Sequence, residues 1–191
     1  MIRDNLKDKE LALLQATLTL VNHQGFHAAS MSKIAQMAGI SPGTIYLYFE
    51  NKQDMLDKLY IIIKSEMCEY AFMKHNPQGG VVEEFKNIWY RIADYKISHI
   101  KEAMFLANCD ITPVVTESSK KKALEFLNPL LDVWRRGQEE GIIRNISLHL
   151  IYAFSVNPLS YLIFSKVDKK IKLTQKQIDE AYEMAWKAIE A

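Results

Sequence analysis

Apolar residues recur at spacings of three and four along almost the whole chain, and the strict alternation of a half-buried strand is scarce. The pattern predicts an all-α protein of about nine helices, at 5–24, 31–38, 42–48, 52–74, 81–98, 100–108, 117–140, 147–165 and 175–189. Residues with start and stop roles mark the ends. Gly25 suits the left-handed position past a helix end, and Asn76-Pro77 with Gly79-Gly80 stops the fourth helix. Thr112-Pro113 closes the sixth and Gly141 the seventh, Thr116 can cap the seventh, and Thr174 with Gln177 three residues on forms a capping box for the last. The long fourth helix would link a first domain, 1–50, to a second, 51–191, so that a tilt at one end is felt at the other.

Residues 30–52 read Ser-Met-Ser-Lys-Ile-Ala-Gln-Met-Ala-Gly-Ile-Ser-Pro-Gly-Thr-Ile-Tyr-Leu-Tyr-Phe-Glu-Asn-Lys. Ser30 is a natural N-cap for a short helix whose buried stripe is Ile34, Ala35 and Ala38. Gly39 permits a sharp turn and Ile40 drops into the small core beneath it. Ser41 caps the next helix, with Pro42 at a first position where its missing N–H costs nothing. Two short helices crossing through a tight turn make a helix-turn-helix. The second presents Pro42, Gly43, Thr44, Tyr46 and Tyr48 outward and turns Ile45 and Phe49 inward. Small residues first and aromatics behind suit a helix that enters a DNA major groove by its N-terminus. Any two short amphipathic helices around a glycine share part of this pattern, so the wider context matters.

From Leu13 to Leu56 the sequence resembles the tetracycline-repressor (TetR) family. The residues that carry the resemblance are Ala16, Leu20, Gly25, Phe26, Ser30, Ile34, Ala35, Ala38-Gly39-Ile40-Ser41, Gly43-Thr44-Ile45-Tyr46, Tyr48-Phe49, Asn51-Lys52 and Leu56. The resemblance implies an all-helical homodimer. Residues 1–50 would be its DNA-binding domain, and 51–191 would dimerise and hold a small-molecule inducer. By position, Ser32, Pro42, Gly43 and Thr44 would face base edges, with Ser30, Lys33, Ser41, Tyr46, Tyr48 and Lys52 at phosphates. Hydroxyls, lysines and helix-start N–H groups are the usual phosphate partners, and they fix register without reading sequence. The base-reading set lacks the bidentate Arg, Asn or Gln that discriminates best. Readout would therefore lean on Thr44 and Pro42 against thymine methyls and on DNA shape. Val21 and Thr17 stand where the family often has Phe and Ala, which touches packing and leaves the recognition surface alone.

Composition narrows the picture further. With 191 residues, 49% apolar and 25% charged, the chain can bury a real core. No apolar run approaches the roughly 18 residues of a membrane span, and the charged start lacks a signal-peptide core, so a cytoplasmic protein with no membrane partner is expected. Cys68 and Cys109 have no ligand-like spacing and read as core. The net charge is +1. In the first sixty residues Arg3, Lys7, Lys9, Lys33, Lys52 and Lys58 balance Asp4, Asp8, Glu10, Glu50, Asp54 and Asp57. Bulk charge therefore does not argue for DNA, and Glu50 sits beside an expected backbone contact. An alternative is a helical small-molecule-binding or scaffold protein without DNA binding.

In the second half, Asn128-Pro129 and Asn157-Pro158 interrupt stretches otherwise readable as single helices. Each proline would kink its helix and free the carbonyl four residues back, of Glu125 and Phe154. Two kinked helices could enclose a cavity, and Tyr60, Trp89, Phe105, Trp134, Phe154 and Tyr161 on the fourth to eighth helices could line it as a pocket for a hydrophobic or planar ligand, although aromatics at helical spacing also build plain cores. The dimer surface is expected on the last two predicted helices, chiefly on Ile178, Ala181, Tyr182, Ala185 and Ile189, unless that face packs inside its own chain. A two-fold dimer would place two reading helices on a pseudo-palindromic operator. His23/His27 and His75/His99 have no third metal-ligand partner, and no nucleophile triad or Gly-rich phosphate loop is present. No catalytic residue, metal or cofactor is expected. The function expected is that of a repressor released from DNA by its inducer.

Overall fold

The computed structural model describes residues 6–168 and 173–191. The elements are α1 (Asp8–Ala28), α2 (Met31–Met37), a 3₁₀ turn (Thr44–Leu47), α3 (Lys52–Phe72), α4 (Val81–Ser98), α5 (Ile100–Ile111), α6 (Glu117–Glu125), α7 (Asn128–Glu139), α8 (Leu148–Ser155), α9 (Pro158–Val167) and α10 (Gln175–Ile189). Among the described residues there is no strand, and an isolated bridge pairs Ile143 with Glu190. The all-helical expectation holds. The chain divides into two compact units, 6–66 with 101–125, and 67–100 with 126–168 and 173–191.

In the first unit α1 buries Leu13, Leu14, Ala16, Thr17, Leu20 and Val21. Thr17, in place of an alanine, is fully buried without being orphaned, because its hydroxyl donates to Leu13 O at 2.8 Å. Gly25 takes φ 79°, so regular helix stops there and a short turn carries the chain on to Ala28. The segment after α5 is tied to the start of α3. Thr116 donates from its N to Asp57 Oδ1 at 2.9 Å and from its Oγ1 to Asp57 Oδ2 at 2.7 Å, and Gln53 Nε2 donates to Val114 O at 2.9 Å. Thr116 also caps α6. Cys109 of this unit and Cys68 of the other are buried and not joined in a disulfide, and burial pushes the Cys109 thiol well up.

Two of the expected helices are each two. Pro129 and Pro158 sit in the first turns of α7 and α9, so each proline starts a new helix instead of bending an old one. The kink expected at these sites is thus a break. Its effect on hydrogen bonding is concrete. The Leu159 N–H donates to Val156 O, and Ser155 O is taken by the indole Nε1 of Trp89 at 2.7 Å. The break also divides Leu148–Val167, which by length and composition is apolar enough to cross a membrane although the sequence reading found no such run; 33% of it is buried.

The second unit is organised by the apolar stripe of α4, Phe85, Ile88, Trp89 and Ile92, which faces α7, α9 and α10. Tyr182 of α10 lies 5.5 Å from Trp89, 5.2 Å from Tyr90 and 6.3 Å from Phe85, centroid to centroid. Burial pushes its hydroxyl up to about 12. The capping box of Thr174 and Gln177 is present. Its helix does not offer the dimer face expected of it: Tyr182, Ala185 and Ile189 are buried on α8 and α4 of their own chain, and Ile178 and Ala181 are half-buried. The correction has a simple cause, since an apolar stripe on a helix satisfies the first partner that can cover it, and α8 does so here.

At the end of the 73–80 connection, His75 Nδ1 lies 2.5 Å from Glu84 Oε2, and Glu84 Oε1 accepts from Asn76 N at 2.9 Å. Gly137 of α7 is the most closely packed glycine of the unit. A Cβ there would stand 2.6 Å from Ile143 Cδ1 and 2.9 Å from Val81 Cγ1, and both neighbours are 1% exposed. Gly137→Ala is therefore expected to destabilise the protein by about 1–3 kcal/mol, read as a lower urea midpoint at unchanged slope, although alanine is the better helix former.

Candidate nucleic-acid interface

The helix-turn-helix is built from two segments too short to persist alone. Ser30 accepts the Lys33 N–H at 3.3 Å and so caps α2, whose Ile34 and Ala35 are fully buried. Gly39, at φ 67°, turns the chain, and the Ile40 N–H closes the turn on Ala35 O at 2.9 Å. Ile40 itself is half-buried. Ser41 then starts the next segment, accepting the Thr44 N–H through its carbonyl at 3.0 Å and its hydroxyl at 3.3 Å.

The second segment is tighter than an α-helix. Residues 44–47 form a 3₁₀ turn, where an α-helix over 42–48 is expected from the sequence. Pro42, Gly43 and the β-branched pair Thr44-Ile45 are weak helix formers, so the turn is held mainly by burial of Ile45 (0% exposed) and Phe49 (1%). Asn51 caps the following helix, its Oδ1 accepting Asp54 N at 3.0 Å while Asp54 Oδ2 accepts Glu50 N at 3.0 Å.

Over this core, Ser32, Lys33, Ser41, Pro42, Gly43 and Tyr46 are exposed, and Ser30, Thr44, Tyr48 and Lys52 are half-buried. Both lysines lean back on the end of α1. Lys33 Nζ donates to Ala28 O at 3.3 Å and Gln24 Oε1 at 3.4 Å, and Lys52 Nζ donates to Phe26 O. Burial pulls the Lys52 ammonium below its ordinary value. Leu47 (82% exposed), Met37 (49%) and the exposed Gln36 also face outward, and the sequence reading passed over all three. A signal for Leu47 was available: it lies three residues from Thr44, and apolar residues are too readily assigned inward.

The aromatics expected around a ligand are divided. Tyr60 and Phe105 are buried in the first unit, where Phe105 meets Phe26 at 6.0 Å. Trp89 and Trp134 are in the core of the second, and Phe154 (61% exposed) and Tyr161 (73%) are on its surface. The outward positions of Phe154 and Tyr161 take both away from any pocket that Trp89 and Trp134 could line. The fully buried Trp134 Nε1 has no hydrogen-bond partner among the described residues. An open trough of about 350 Å³ in the first unit is lined by Asp54, Asp57, Lys58, Ile61, Ile62, Ser119 and Lys122, and by none of these six. His75 is occupied by Glu84 and His99 stacks on Tyr95 at 4.3 Å.

Residues 13–59 match the family model described as bacterial regulatory proteins, tetR family, and residues 81–190 match the tetracyclin repressor-like C-terminal domain. The chain belongs to the TetR family. Its membership makes it a DNA-binding transcriptional regulator and not an enzyme. Among relatives of similar sequence is the HTH-type transcriptional regulator YhgD of Bacillus subtilis, 24% identical over 139 residues, 72% of this chain and 73% of that one. The fatty acid metabolism regulator protein of the same species is 41% identical, but over 54 residues, 28% of either chain. A TetR family transcription regulator from Marinobacter aquaeolei superposes with a TM-score of 0.87 at 24% identity, covering 99% of this chain and 98% of that one.

Within this TetR-family chain the backward reach of Lys52 makes a checkable demand. Lys52→Met leaves Phe26 O without its charged donor, at an expected cost of about 1 kcal/mol for a half-exposed bond, read as a fall in thermal midpoint before any DNA is added. An unchanged midpoint would release Lys52 from that structural duty.

Proposed function

We propose that the protein is a dimeric repressor that holds a pseudo-palindromic operator and leaves it when a hydrophobic or planar small molecule binds. The observation that carries the DNA half is the outward set Ser32, Lys33, Ser41, Pro42, Gly43 and Tyr46 over fully buried Ile34, Ala35 and Ile45. In this reading Ser32, Pro42, Gly43 and Thr44 face base edges, and the hydroxyls of Ser30, Ser41, Tyr46 and Tyr48 with Lys33 and Lys52 meet phosphates. An ammonium has three donors, so a bond to a carbonyl leaves each lysine able to reach a phosphate oxygen as well. With so few cations, binding weakens with salt on a shallow slope.

Support for the dimer comes from Leu150 (43% exposed), Phe154 (61%) and Tyr161 (73%), apolar side chains left uncovered on α8 and α9. A second copy covers them by two-fold pairing. Support for a ligand comes from Trp134, whose buried N–H suits an acceptor on an otherwise apolar molecule. A fatty acyl compound fits that chemistry. The relative named for fatty acid metabolism adds little weight, because its match covers 28% of the chain.

Fluorescence anisotropy with labelled DNA from upstream of the gene, paired with light scattering, tests the reading. The wild type should bind as a dimer. Phe154→Glu with Tyr161→Glu, both at exposed sites, should give a folded monomer with affinity down about 100-fold. A double variant that stays dimeric removes α8 and α9 as the dimer surface. Fatty acids and planar aromatics that raise the thermal midpoint should also release DNA, and a complex indifferent to every such stabilising ligand would refute induction.

A further inference from the structure

The segment expected to lie along the base edges, 41–48, contains no charged and no amide side chain; it is Ser-Pro-Gly-Thr-Ile-Tyr-Leu-Tyr. In the major groove guanine, adenine and cytosine present hydrogen-bond groups that Arg, Lys, Asn, Gln, Asp and Glu match, whereas thymine adds an apolar handle, its C5 methyl. Besides the exposed Pro42, two side chains of the segment suit that handle. The Thr44 hydroxyl is engaged in the cap, 2.7 Å from Ser41 Oγ, so the methyl is the group this half-buried side chain has to offer DNA. Leu47 is 82% exposed, the highest value among the exposed large apolar side chains of the described residues.

The 3₁₀ geometry brings them together. With three residues per turn, side chains at i and i+3 eclipse, so Thr44 and Leu47 stand on one line of the turn. Buried Ile45 fixes the opposite side. A Leu or a Thr methyl set against guanine O6 and N7 or cytosine N4 strips water from them and returns no hydrogen bond, an unfavourable exchange. The same groups set against a thymine methyl remove apolar surface from water on both sides.

We propose that Thr44 and Leu47 are specificity-determining residues that recognise thymine by its methyl group, so that each operator half-site carries thymine beneath the 44–47 line and disfavours G·C there. This rests on the DNA-binding reading above and adds to it the chemical group that is read.

Removal of a single methyl from the DNA tests it. The full-length protein selects duplexes from a random pool, and each thymine of the enriched duplex is then replaced by deoxyuridine, which keeps the pairing and loses the methyl. At one or two symmetry-related thymines per half-site, affinity should fall about fourfold per methyl, with no change at the others. Thr44→Ser keeps the hydroxyl and the cap; it should lose a similar factor on the thymine duplex and little more on the duplex lacking the contacted methyl. Leu47→Ala, at a site with no packing to lose, should behave the same way at a neighbouring thymine. An enriched duplex insensitive to deoxyuridine at every position overturns the inference and leaves DNA binding standing, as does a loss on substituting 7-deazaadenine that Gln36→Ala abolishes while the thymine methyls count for nothing. Failure to enrich any duplex overturns the DNA-binding reading itself.

Discussion

The seven residues of α2 and the four of the 3₁₀ turn are far below the length at which a helix holds itself in water, about 12–15 residues. They keep their shape because Ile34, Ala35, Ile45 and Phe49 are driven into one core with Leu13, Leu20 and Met55, all 4% exposed or less. Each large side chain so buried contributes about 1.5–3 kcal/mol, more than the serine caps at Ser30 and Ser41 supply at about 1 kcal/mol each. The caps set where the segments start; the burial decides that they exist. Every outward residue of the interface is positioned second-hand by this arrangement.

Much of that was legible because it is local. Ser30, Gly39, Ser41 and Pro42 act within four residues of themselves, and the alternation of Ile45 and Phe49 with polar neighbours needs no knowledge of the rest of the chain. The same holds for Thr116 and for the Thr174–Gln177 box. The family assignment drew on the same stretch, and the match of residues 81–190 extends it to the other half.

What escaped was non-local. Asp57 and Thr116 meet across 59 positions, so the grouping of 101–125 with the N-terminal helices has no signature in a window of a dozen residues. The face of α10 reads as an interface because it is apolar, but pattern alone does not say which neighbour covers it. A proline inside an apolar stretch reads equally as a kink or as the first turn of a new helix, and an aromatic at helical spacing reads equally as inner or outer, so the exposure of Phe154 and Tyr161 had no local signature. Lys52 was legible as a cation near DNA and not as the donor that holds Phe26 O, since the carbonyl it takes is exposed only by the departure of α1 at Gly25.

The exposure of Tyr46 and Leu47 beside the near-complete burial of Ile45 has an evolutionary consequence. Stability and recognition are carried by different, interleaved positions of the same short turn. Substitutions at the outward ones cost the scaffold little, so duplicated copies of such a gene could diverge toward new promoters by single-codon steps without first acquiring compensating changes in the interior.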